Sequence, residues 1–131
     1  MTIQNFWLKQ SKLIHWHKRP SFAFKKKNNN FVEWYPDGKV NIFHNCVTKN
    51  LELNLGKKIA IYFVNENKEI KSYTYKELDE NVNIFSNKIL YILKNQKISK
   101  SKIIIHSSAS IEATISMLAC AKLGIHFSVI F

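Results

Sequence analysis

The chain has 131 residues, 46% of them hydrophobic and 13% aromatic, which allows one core and excludes a wholly disordered polymer. Twenty lysines and arginines stand against nine acidic residues, and a net charge of +11 raises the question of a polyanionic partner. Arg19 is the single arginine, however, and Lys, Ile and Asn together make 50 of the 131 residues. All three are spelled by A/T-dominated codons, and the planar Arg fork that grips phosphates bidentately is nearly missing. The excess therefore reads as compositional drift, and nucleic acid is not the expected partner.

In chain order, Ile3, Phe6, Trp7, Leu13, Ile14 and His17 recur at helical spacing over residues 3–17, with Lys9 and Lys12 opposite, and Pro20 ends the run. Lys25–Asn30, "KKKNNN", has no core-forming residue and reads as a solvated loop. "FVEWYPDGKVNI" reads as strand, turn, strand, with Pro36 presetting φ, Asp37 bonding its own backbone and Gly38 taking positive φ. A short helix is expected over Asn45–Leu53, stopping near Gly56. Lys58–Val64 is apolar on both alternating faces, as a strand covered on both sides would be. "NENKE" then turns the chain into a return strand, "IKSYT".

Thr74 followed by Glu77 is a capping-box signature. It opens a helix whose apolar residues are Leu78, Val82, Phe85, Ile89 and Ile92. Lys102–Ser107 reads as a buried strand. Ser110 caps the next helix, with Glu112 where the helix dipole favours a carboxylate and Ile111, Ile115 and Leu118 toward the core. Gly124 ends that helix, and His126–Phe131 forms a last strand. This alternation predicts an α/β fold with parallel strands.

Chemistry-bearing residues are sparse. Cys46 and Cys120 lie far apart with no CxxC, and the chain begins without a signal-peptide pattern, so a reduced, cytoplasmic protein is expected. Ile111–Phe131 is broken by Glu112 and Lys122 and is too short for a spanning helix. His15 and His17 would point to different sides of a helix, and His44 with Cys46 makes only an H-x-C, so packing is preferred over metal binding. Gly38, Gly56 and Gly124 sit singly, with neither G-x-x-x-x-G-K-[ST] nor G-x-G-x-x-G to wrap a phosphate. No serine lies in G-x-S-x-G. Glu112, Asp79 and Glu80 are explained by the first turns of helices. Lys25–Lys27 with Phe22, Phe24 and Phe31 could form a basic-aromatic surface for nucleic acid; a loop anchored to the core by its aromatics is the preferred reading. The expected inventory is thus no catalytic, no cofactor-binding and no metal-ligating residue.

Four blocks, in order, carry a family resemblance: "NFWLKQSKLIHWHKRP", "FVEWYPDGKVNIFHNCVTKNL", "YTYKELDENVNIFSNKI" and "IEATISMLACAKLGIHFSVIF". They resemble the acetyl-CoA and propionyl-CoA synthetases, AMP-forming members of the adenylate-forming superfamily. The last is the nearest match, with Met117-Leu118-Ala119-Cys120-Ala121 and Ser128-Val129-Ile130-Phe131 in place. The resemblance implies a longer enzyme that adenylates a short carboxylic acid with ATP and Mg and transfers the acyl group to CoA. It implies a synthetase amino-terminal segment over residues 1–56 and the start of the AMP-binding α/β domain over residues 57–131. It also removes a transit-peptide explanation for the acid-free first 32 residues.

The resemblance places the family's phosphate loop, acyl pocket, CoA-proximal glycine pair and adenylation lysine beyond the residue matching Phe131, so none of those roles maps here. Thr48-Lys49-Asn50 stands where the family usually has Asp-Arg-His, Lys100-Ser101 where it has Gly-Asp, and Ile111 where it has a helix-starting Pro. Losing such a Gly or Pro costs about 1 kcal/mol each. The resulting expectation is an incomplete amino-terminal part of the large domain of an adenylate-forming enzyme: helix and hairpins, then β-α-β-α-β. It would be inactive alone as a gene remnant. The alternatives are one part of a split synthetase completed by a separately encoded remainder, or a small basic protein binding RNA or anionic surfaces. An apolar strand edge at the last strand would favour self-association or aggregation.

Overall fold

The computed structural model describes residues 1–28 and 31–130. The chain forms two compact units, dividing after Asn41.

In the first unit, α1 spans Ile3–Gln10, capped by the Thr2 hydroxyl accepting the Asn5 N–H at 3.3 Å. The helix expected to reach residue 17 stops short, and a single tight turn, Ser11–Leu13, follows before Ile14 becomes extended. The reason is local competition for one carbonyl. Ser11 C=O accepts the Ile14 N–H at 3.2 Å and the Trp16 indole N–H at 2.8 Å, while the Ser11 hydroxyl turns back to Leu8 C=O at 2.8 Å.

The lysine run is likewise no loop. β1 (Phe24–Lys27) pairs antiparallel with β2 (Phe31–Trp34), setting Phe24 opposite Trp34 and Lys27 opposite Phe31. Asn29 and Asn30, the end of the expected loop, lie outside the described residues. The Gln4 side chain ties α1 to this hairpin, donating to Phe24 C=O at 2.8 Å and accepting from Ala23 N–H at 2.8 Å. Trp34 meets Trp7 and Phe24 edge-on, with centroids at 5.2 and 5.4 Å. The second strand expected after Pro36 reduces to one bridge, Lys18 to Lys39. Positive φ in that turn falls on Tyr35 (φ 45), not on Gly38 as expected. Gly38 is required for space, since its backbone lies under the Trp16 ring.

The second unit opens with a wide helical turn, His44–Thr48, continuing into α2 (Lys49–Glu52). β3 (Ile59–Val64) and β4 (Ile70–Thr74) form an antiparallel hairpin. α3 (Tyr75–Asn95) follows directly, and its capping box is complete. Leu78, Val82, Ser86 and Ile89 line its buried face, while Ile92, expected on that stripe, is exposed. β5 (Lys102–His106) and β6 (His126–Ile130) pair in parallel, in register from Lys102–His126 to His106–Ile130. Their crossover is α4 (Ile111–Leu123). Phe131, expected in the last strand, lies outside the described residues.

α4 ends as the sequence foretells. Gly124 adopts φ 68, its N–H bonds Ala121 C=O at 3.3 Å, and Ile125 N–H bonds Cys120 C=O at 2.9 Å, a Schellman closure. Phe43, Val47, Leu78, Val82, Ile89, Ile105, Ala113, Ala119 and Cys120 form the core. The architecture is α/β, with an amino-terminal helix, antiparallel hairpins and a parallel pair. Among the described residues the parallel ladder is confined to β5 and β6, and β4 pairs back on β3. β3, expected to be covered on both sides, and β5, expected to be buried, are each exposed in part. Tyr62 and Val64 on β3 are 66% and 56% exposed, and on β5 only Ile105 is fully buried.

Candidate functional site

His15 and His17 lie beyond the end of α1, so the helical argument for separating them does not apply. Their rings meet edge-on with centroids 5.6 Å apart. No three His, Cys, Asp or Glu side chains gather as a metal-binding group among the described residues. Cys46 is exposed, whereas Cys120 is buried in the core, and neither is in a disulfide. Burial pushes the Cys120 thiol above its usual pKa, which keeps it protonated.

Hydroxyls near Glu112 are committed to the backbone. Ser110 Oγ accepts the Ala113 N–H at 3.2 Å and lies 3.3 Å from Ser107 Oγ. Thr114 Oγ1 donates to Ser110 C=O at 3.3 Å. Sequence reasoning missed one polar relay. Asn83 donates to Asp79 Oδ2 at 2.7 Å and accepts from the Lys122 ammonium, which also stands 4.9 Å over the Phe43 ring. The Asp79–Asn83 half is an i,i+4 pair visible in sequence, but Lys122 arrives from α4 only through folding.

The lysines of β1 are exposed, and Lys27 Nζ pairs with Glu33 Oε2 at 2.9 Å. Of the nearby aromatics Phe24 packs on Trp34, but Phe31 is 79% exposed. The anchoring expected of Phe31 is therefore corrected: among the described residues its neighbours on the two-stranded ribbon offer it no covering layer.

A cavity of about 460 Å³ lies between β3 and the amino-terminal half of α4, lined by residues including Ile61, Phe63, Ile111, Met117 and Val129. Among the described residues Tyr62 is the only ionisable side chain on its wall, and Ser110 and Thr114 supply hydroxyls. Such a wall accepts apolar surface.

Aligned against acetyl-coenzyme A synthetase of Cupriavidus metallidurans, the chain is 34% identical over 131 residues, 98% of its own length. The chain is homologous to the amino-terminal part of the acetyl-coenzyme A synthetases. Residues 2–46 match the family described as acetyl-coenzyme A synthetase N-terminus, a stretch holding α1, β1 and β2. Acetyl-coenzyme A synthetases of Bartonella henselae and Streptomyces coelicolor are 38% and 33% identical over 98% and 96% of this chain. The chain spans only 19–20% of the length of these three curated relatives. No helix among the described residues is long and apolar enough to cross a membrane.

Proposed function

We propose that this chain supplies the amino-terminal scaffold of an AMP-forming acetate–CoA ligase and has no adenylating activity by itself. The observation that carries the reading is the cavity between β3 and α4, whose wall, among the described residues, holds no carboxylate, imidazole, ammonium or guanidinium. Adenylation needs cationic or backbone donors around a triphosphate and its metal. In the sequence, Gly38, Gly56 and Gly124 stand singly, so no glycine run offers successive N–H groups to phosphate.

In this reading acetate, ATP, Mg and CoA are handled by residues homologous to the rest of the relatives, and the work is cytoplasmic. Propionate is the competing acid, and the choice belongs to that same remainder. A second reading, in which a separately encoded polypeptide completes the enzyme, is favoured by the exposed outer face of β5 and β6.

Equilibrium titration of the chain with ATP–Mg and, separately, with CoA tests the proposal. No saturable heat at millimolar ligand is expected; stoichiometric binding of either would overturn it.

A further inference from the structure

Between Glu80 and Glu112 the sequence holds five lysines, Lys88, Lys94, Lys97, Lys100 and Lys102, and no acidic residue. They fall on the carboxy-terminal half of α3 and the turn into β5, and all five are exposed. Among the described residues none of them is in an ion pair. Large apolar side chains stand between them: Tyr91 is 68% exposed, Ile92 52%, Leu90 48% and Ile98 41%. A groove of about 490 Å³ lined by Leu90, Leu93, Ile98 and Leu123 has Lys94 and Lys100 on its wall. The turn is held in place by the backbone. Lys97 N–H donates to Lys94 C=O at 3.1 Å and Ile98 N–H to Leu93 C=O at 2.9 Å, a Schellman closure with Lys97 in the left-handed position at φ 54. Glycine suits that position and Asn tolerates it better than Lys, so Lys97 brings its charge to the patch at a cost to the fold.

Charge and polarity together select the occupant. Codon bias sets the number of lysines; their placement here, without acids and around apolar side chains, is a property of the surface. A cationic rim around exposed apolar residues matches an anionic amphiphile, whose head groups meet the ammoniums while its acyl region takes the apolar side chains. RNA fits less well. Tyr91 is the one aromatic among these residues to stack a base, no arginine is present to grip a phosphate, and the aliphatic side chains would stay in water. We propose that the carboxy-terminal half of α3 and the turn to β5 form a docking surface for an anionic lipid bilayer. Tyr91 enters the head-group layer, and Lys94, Lys97 and Lys100 lie against the lipid phosphates. The contact is peripheral, and it uses none of the groups that line the cavity between β3 and α4.

Vesicle flotation of the purified chain tests this, because bound protein rises and aggregate does not. The chain should float with mixed phosphatidylserine–phosphatidylcholine vesicles, stay behind with phosphatidylcholine alone, and be released by high salt. The double variant Lys94→Gln, Lys100→Gln should bind about 25-fold more weakly, at about fivefold per lysine. Lys71→Gln, at an exposed position on β4, should leave binding nearly unchanged. Tyr91→Gln keeps the charge and should still weaken binding about tenfold through lost apolar contact. Thermal melts matching the wild type confirm that these variants fold. Lys97→Gly should move two readings in opposite directions, raising the melting temperature while weakening binding about fivefold. A loss for Lys71→Gln equal to that for one patch lysine would assign binding to net charge and overturn the surface. So would binding indifferent to Tyr91→Gln, or a wild type that does not float. Polyuridylate that strips the chain from the vesicles at equal phosphate would overturn it in favour of RNA.

Discussion

Gly38 lies directly beneath Trp16: a β-carbon at residue 38 would stand 2.6 Å from Cζ3 and 3.0 Å from Cε3 of the indole. The same ring donates its N–H to Ser11 C=O at 2.8 Å, the bond that closes the end of α1. Gly38→Ala must therefore move the indole. The expected cost is about 1–3 kcal/mol, as for other insertions into a packed site. A red-shifted tryptophan emission and a lower melting temperature check it, and unchanged values for both would show that the glycine is dispensable.

Thr74 N–H donates to Glu77 Oε2 at 2.8 Å, and Glu77 N–H donates to Thr74 Oγ1 at 3.2 Å. Thr74→Ala should cost about 1 kcal/mol of helix stability. The Thr74 backbone N–H, and then its hydroxyl, hold the Glu77 carboxyl below the usual glutamate range. A group with a depressed folded pKa stabilises above its unfolded value, about 4.3 for Glu, and that contribution is lost as pH falls through the folded value. Glu77→Gln should therefore lower the urea midpoint at pH 7, with the difference shrinking toward pH 3. A difference independent of pH would contradict the assignment.

Ser86 sits on the buried face of α3, and its hydroxyl has no hydrogen-bond partner among the described residues. Burying an unmade hydrogen bond costs about 1–3 kcal/mol, so Ser86→Ala should raise stability by about 1 kcal/mol after the lost packing of one oxygen. Chemical denaturation measures this directly. A destabilised variant would mean that the hydroxyl is bonded in solution.

These features divide by range. Thr74 with Glu77, Ser110 and Gly124 were legible because caps are decided within four residues of sequence. The end of α1 was not, since the carbonyl that stops it is taken by Trp16. Nor was the strand character of Lys25–Lys27, which depends on Gln4 and Trp34 meeting Phe24 across the hairpin. The apolar run of β3 read as covered on two sides and that of β5 as buried, because periodicity reports a pattern suited to burial and not the presence of a covering layer. The family was legible in the MLACA and SVIF blocks, whereas the Asp79–Asn83–Lys122 relay needed the packing of α4 on α3.

The two thiols should react unequally. Cys46 is exposed, while Cys120 is enclosed in the core with its pKa raised by burial. A thiol reagent at pH 8 should modify one cysteine per native chain promptly and the second only with denaturant, with peptide mapping assigning the first to Cys46. Rapid modification of Cys120 in the native state would show that the packing of α3 against α4 is looser than described.

In the proposed reading these residues give form to an acetate-activating enzyme without supplying its chemistry. Acetate-dependent ATP–pyrophosphate exchange by the purified chain, on material whose circular dichroism shows the α/β fold, tests it most directly. Exchange no faster than the no-enzyme blank is the predicted result. Exchange that depends on acetate and copurifies with the 131-residue chain would place adenylating groups within it and contradict the account.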